Sequence, residues 1–143
     1  MEEIAIGPAA LAMYAYGQEA IKASALSPEE VHVVRLAVSR FSNCPYCVAA
    51  QATEALGAGV SAQDVEALQA GSVPVDEDLA VVADAARRVA AQRGHLAQVD
   101  VAEYAEDGLG SAKLQDIVAV VSLKTITNYV DHVRHSETDC TRG

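Results

Sequence analysis

The sequence predicts an all-α domain of about seven helices, with a Cys-x-x-Cys pair at the N-terminus of the third. Three observations lead there. Apolar residues recur at helical rather than alternating spacing along most of the chain. Helix-start signatures precede those runs, the fullest being Ser27-Pro28-Glu29-Glu30, with Ser as N-cap, Pro at the first helical position and Glu at the third. The apolar half of the composition, 51% of residues, is mostly Ala and Val with only 4% aromatic, which suits helices in close approach. At 143 residues the chain is read as a single domain spanning 1–143.

The elements follow in order. Leu11, Met13, Tyr14, Ala15 and Ile21 give a first helix over Pro8 to Ala23, weakened at Gly17 by about 1 kcal/mol relative to Ala. The second runs from its Ser27 cap to about Arg40. Its β-branched run could suggest a strand, but Val33-Val34 and Leu36-Ala-Val38 break the alternation a strand requires. Pro45 opens a third helix through Leu56, which Gly57 and Gly59 stop. Ser61 caps a short fourth that ends near Gly71, and Asp76-Glu-Asp78 forms the acidic first turn of a fifth ending at Gln92-Arg-Gly94. Asp100 opens a brief sixth, closed by Gly108. Ser111 caps the last, where Leu114, Ile117, Val118, Val121, Ile126 and Val130 recur through about His135. The tail, 136–143, is polar and expected to fray.

Charge narrows the function classes. Twenty acidic against ten basic side chains give a formal net charge of -10, which repels nucleic-acid phosphates and anionic membranes alike. The start, Met1-Glu-Glu3, is acidic where a secretory signal would be basic, and no apolar run approaches the roughly 20 residues of a membrane span. A soluble, cytoplasmic protein without nucleic-acid or membrane partners is expected. Three cysteines do not make the multiply bridged framework of a small secreted domain.

Cys44 falls at the N-cap of the third helix and Cys47 at its third position, so both sulfurs lie near free backbone N–H groups that favour a thiolate. One helical turn also brings the two side chains within bridging reach, so the pair can cycle between dithiol and disulfide. Two blander readings stand beside this. The cysteines could be small hydrophobes filling a helix start, or half of a zinc site, although the latter needs four ligands and His32, His95, His132 and His135 are scattered. No metal and no cofactor is expected. Cys140, in the tail among acidic neighbours, is read as incidental.

Cys-Pro-Tyr-Cys is also the active-site tetrapeptide of glutaredoxins, and Ser72-Val-Pro74 is similar to their Val-Pro turn. That fold, however, places a strand before the tetrapeptide, where this chain has a capped helix. A broader match lies in Leu26-Ser-Pro-Glu-Glu30, Leu36-Ala-Val-Ser-Arg40, Asn43-Cys-Pro-Tyr-Cys47-Val-Ala-Ala-Gln51 and Ala55-Leu-Gly57. Together these resemble the core of the alkylhydroperoxidase D and carboxymuconolactone decarboxylase superfamily, a motif spanning 26–71. Asp116-Ile-Val118 and Thr127-Asn-Tyr-Val-Asp-His132 resemble its closing helix.

The resemblance implies an all-α fold in homotrimers or hexamers, and a peroxidase or disulfide reductase recharged by an external dithiol such as a lipoyl or thioredoxin-like protein. It makes Cys47 the peroxidatic cysteine and Cys44 the resolving one. Helix-dipole reasoning alone would instead favour Cys44 as the better exposed thiolate. Two positions depart from the family. The relay His four residues after the second cysteine is Gln51, and the Glu twelve residues before the first is His32. His32 could serve as base with Gln51 orienting it, and Glu54, seven residues after Cys47, or Glu29, a turn before His32, could restore a carboxylate. The plain alternatives are a surface or interface histidine for His32 and a helix-surface residue for Gln51, and a glutamate placed like Glu54 or Glu29 is more often a solvated helix charge. The rival is a relay-deficient, non-catalytic oligomer that binds a small ligand or partner. Lactone decarboxylation is a weaker third reading, since members with that chemistry generally lack the CxxC.

Overall fold

A computed structural model describes residues 6–135 as seven helices, with no strand among the described residues. They are α1 (Pro8–Ile21), α2 (Pro28–Phe41), α3 (Pro45–Ala58), α4 (Ala62–Ala70), α5 (Glu77–Gln92), α6 (Gln98–Glu106) and α7 (Ser111–Arg134). The expected all-α class and the place of the CxxC both hold. The expected frayed tail, 136–143, with Cys140, lies outside the described residues, as does Met1-Glu-Glu3.

Local chemistry accounts for most boundaries. The capping box on α2 is complete: Ser27 Oγ accepts from the Glu30 N–H at 3.1 Å, and Glu30 Oε1 accepts from the Ser27 N–H at 2.8 Å. Lys113 at the start of α7 donates to the other carboxylate oxygen at 2.9 Å, which ties the two helix starts together. Burial alone would raise the Glu30 pKa; the Ser27 N–H bond and the Lys113 ammonium outweigh it and hold the carboxyl below its ordinary value. Ser61 and Asp76 cap α4 and α5. The buried Asp64 carboxylate accepts from the backbone N–H groups of Val75 and Asp76 and so fixes the loop between those helices.

Three boundaries differ from the sequence reading. α3 runs through Gly57 and stops at Gly59, whose φ of +107° is the left-handed conformation that Gly adopts at least expense. α6 begins at Gln98, so Asp100 sits inside its first turn and accepts an ion pair from Arg88 at 3.0 Å rather than opening the helix. Gly110 is the N-cap of α7, and the Ser111 hydroxyl instead accepts from Gln115 at 3.3 Å.

The core forms around α2. Val33, Val34, Leu36, Val38 and Ser39 of this helix are at most 1% exposed, so it is enclosed on nearly every side, with α3, α4, α5 and α7 packed against it. α1 lies on α7. Gly17 belongs to that contact: a Cβ there would stand 2.6 Å from Leu123 Cδ1. The position that local propensity marks as a weakness is therefore what lets the two helices approach.

This makes a testable expectation. Gly17→Ala should lower stability to urea by up to about 2 kcal/mol through overpacking. In a Leu123→Ala background the same change should stabilise by about 1 kcal/mol, the intrinsic helical preference for Ala. The same sign in both backgrounds would contradict the steric account.

Candidate redox site

The site is made where α2 hands over to α3. After α2 ends, Ser42 keeps a helical conformation and Asn43 turns left-handed at φ +56°, which Asn tolerates better than most residues. Cys44 is extended and N-caps α3, its own N–H donating back to the Ser39 carbonyl at 3.3 Å. Pro45 then sets the first helical φ, and Cys47 arrives at the third helical position. The two cysteines are joined in a disulfide with a Cα–Cα distance of 5.2 Å. Cys44 is 1% and Cys47 3% exposed, so Cys44 is no more open than Cys47, contrary to what the helix-dipole argument suggests.

The last turns of α7 cover this bridge. Asp131 Oδ2 lies 3.6 Å from Cys47 Sγ, while its Oδ1 lies 3.6 Å from an Arg134 guanidinium nitrogen. Tyr46, between the cysteines, stacks on His135 with ring centroids 5.2 Å apart. One turn before Asp131, the fully buried Asn128 accepts from Ser39 Oγ at 3.5 Å and donates to Ser42 Oγ at 3.3 Å. This pins α7 to the end of α2 just ahead of Cys44. A further turn back, Lys124 is buried. Burial pushes its pKa down, as does the Arg35 charge, against the pull of Asp131 and Glu54. Lys124, Asn128 and Asp131 thus form a polar stripe at spacings of four and three on an otherwise apolar helix face.

The residues expected as a relay come together in part. Gln51 is buried one turn beyond Cys47, and its Oε1 has no hydrogen-bond partner. His32 on α2 is half-buried, with Nδ1 likewise unpartnered. Burial lowers the His32 pKa and Arg35 lowers it further, while Glu54 acts in the opposite direction. Glu54 itself is exposed and acts on both His32 and Lys124 through its charge. Among the described residues no hydrogen bond joins His32 to Gln51, or either of them to a cysteine. The side chain that does reach the sulfur is Asp131, which the sequence reading passed over; the polar stripe on α7 was the signal that could have found it.

Cys44, Cys47 and Asp131 bring three donor atoms within 4.8 Å of one another. The arrangement is a poor cation site, because the sulfurs are spent on each other and the Lys124 ammonium adds positive charge to the surroundings. Apart from this site, a cavity of about 610 Å³ opens between the end of α2, the α4–α5 loop, α5 and α6. Arg40, Asp84 and Tyr104 are in its wall, and it reaches Asn43 without being lined by either sulfur. Tyr104 donates to Asp84 Oδ2 at 2.7 Å, and burial together with that carboxylate raises its pKa.

The described residues form an all-helical domain in which about one turn of chain closes two cysteines at a helix start, a CxxC pair of the kind that dithiol–disulfide chemistry uses. Comparison with family profiles goes one step further: residues 8–92 match the carboxymuconolactone decarboxylase family, and the chain belongs to it. The match takes in α1 to α5 with both cysteines and stops short of α6 and α7, so Lys124, Asn128 and Asp131 lie outside it. A comparison with curated proteins gave no match. No helix among the described residues is long and apolar enough to cross a membrane.

The electrostatics predict a specific titration. His32 followed by NMR should titrate below 6.5, move lower still in Glu54→Gln and higher in Arg35→Gln. Because the folded value is depressed, protonation opposes folding, so stability should fall as pH drops below about 6.5. A midpoint at or above 6.5, indifferent to both substitutions, would contradict this placement of charges.

Proposed function

We propose that the chain is a thiol-dependent antioxidant enzyme that reduces hydroperoxides or small disulfides by cycling Cys44 and Cys47 between dithiol and disulfide. The observation that carries this reading is the Cys44–Cys47 bridge at the N-terminus of α3, in a chain of this family. In the cycle the Cys47 thiolate attacks the peroxide O–O bond, forming a sulfenic acid and releasing an alcohol or water. The Cys44 thiol then displaces the sulfenic oxygen as water and closes the disulfide. An external dithiol, a lipoyl or thioredoxin-like carrier, returns two electrons and two protons and is itself oxidised. His32, Gln51 and Glu54 are in this reading a modified relay around the pair. The single domain works as a homo-oligomer, in keeping with the exposed Leu11, Met13 and Tyr16 on α1.

One observation favours the rival reading of a non-catalytic member. Both sulfurs are almost sealed, and a bridge so placed would also serve to lock the junction of α2 and α3.

Peroxide consumption with a dithiol donor separates the two. Turnover should be abolished in Cys47→Ser, and Cys44→Ser should accumulate a sulfenic acid that dimedone traps on Cys47. No peroxide or small-disulfide turnover with any donor, in a chain whose bridge forms normally, would favour the structural reading.

A further inference from the structure

The cysteine pair needs a group that takes a proton from Cys47 when the disulfide closes and returns one when it opens. Neither of the family-motif positions supplies it by contact. Gln51 has no acid–base chemistry, and the half-buried His32 makes no hydrogen bond to a sulfur. From the 3.6 Å approach of Asp131 Oδ2 to Cys47 Sγ, backed by buried Lys124 on the same stripe of α7, we infer that Asp131 is the catalytic acid–base of Cys47. This rests on dithiol–disulfide cycling by the pair and not on peroxide being the oxidant.

The geometry is specific on several counts. Asn128 fixes the rotation of α7 by bonding both Ser39 and Ser42, which sets the stripe towards the bridge. Arg134 engages Oδ1 and leaves Oδ2 on the sulfur. A carboxylate so close to a nascent thiolate would by itself disfavour the second negative charge. The Lys124 ammonium, which Asp131 attracts, and the Arg134 guanidinium on Oδ1 offset it, while Glu54 from α3 and Arg35 from α2 act in turn on Lys124 and His32. Lys124 is accordingly a positioning residue, acting through Asp131.

The step balances in both directions. On reduction, a donor thiolate attacks Cys44 Sγ, the S–S bond breaks, and the electron pair goes to Cys47 Sγ, which takes a proton that Asp131 Oδ2 relays from solvent. The second donor thiol then attacks the donor sulfur of the mixed disulfide and releases Cys44, which is protonated from water. On oxidation Asp131 removes the Cys47 proton as that sulfur becomes a nucleophile.

The test uses dithiothreitol as the reductant of the full chain, followed by stopped-flow between pH 5 and 9, so that no peroxide activity is needed. In Asp131→Asn the reduction rate near pH 7 should fall about a hundredfold, the lower end of what a general acid–base group contributes. Asp131→Glu should recover part of it. In a Cys44→Ser background, the alkylation pKa of Cys47 should meanwhile fall by about one unit in Asp131→Asn, because a neighbouring negative charge is gone. A slower exchange despite a more acidic thiol is a combination that a merely structural role would not give. Exchange within twofold of the parent across the pH range, or an unmoved Cys47 pKa, would overturn the assignment. If peroxide turnover is absent while the Asp131 effect is present, the peroxide reading fails and this one stands. A bridge that dithiothreitol does not open at all overturns both.

Discussion

Burial of α2 on nearly all sides is the constraint from which the remaining structure follows. A helix with Val33, Val34, Leu36, Val38 and Ser39 all closed to solvent has to be surrounded, and α3, α4, α5 and α7 do so. The burial removes Ser39 from water, and its hydroxyl meets its partner in Asn128 of α7. That bond, with the one from Asn128 to Ser42, orients α7 over the end of α2 at the point where the chain turns into Cys44. The cysteine pair therefore sits at the rim of the most tightly enclosed element and inherits its position from it.

The same enclosure sets the chemical character of the site. Both sulfurs are shielded, and the carboxylate against Cys47, Asp131, is in turn engaged by Arg134 and attracts Lys124. His32 and Lys124 are partly or fully withdrawn from water, so the charge of the exposed Glu54 registers on both. A carboxylate brought against a cysteine in such surroundings exerts a much larger effect on the thiol than it would on an exposed helix face. Membership of the carboxymuconolactone decarboxylase family rests on α1 to α5, whereas this charge arrangement depends on α7.

Much of the fold was legible in the sequence because it is written locally. The Ser27 capping box, Pro45 at the start of α3 and the Ser61 cap each act within one turn and mark their boundaries correctly, while Asp76, read as part of the first turn of α5, is its N-cap. The misreadings arose where local signals compete. Gly57 carries no positive φ, so it passes as an ordinary helical residue, while Gly59 two positions on has the left-handed conformation that ends the helix. Gly17 looked like a defect because its reason, Leu123, lies on another helix. The CxxC was legible for the same local reason as the caps. Asp131 was not, since its relation to Cys47 spans 84 positions and depends on how Asn128 rotates α7.

The central claim is that Cys44 and Cys47 form a working dithiol–disulfide couple rather than a fastening. The most direct measurement is the reduction potential of the pair, obtained by equilibrating the full chain in dithiothreitol or thioredoxin redox buffers and quantifying free thiols. A working couple equilibrates reversibly at a potential above about −300 mV, in the range of thiol oxidoreductases. A potential well below that, or a bridge that opens only when the chain unfolds, would identify a structural disulfide and contradict the account.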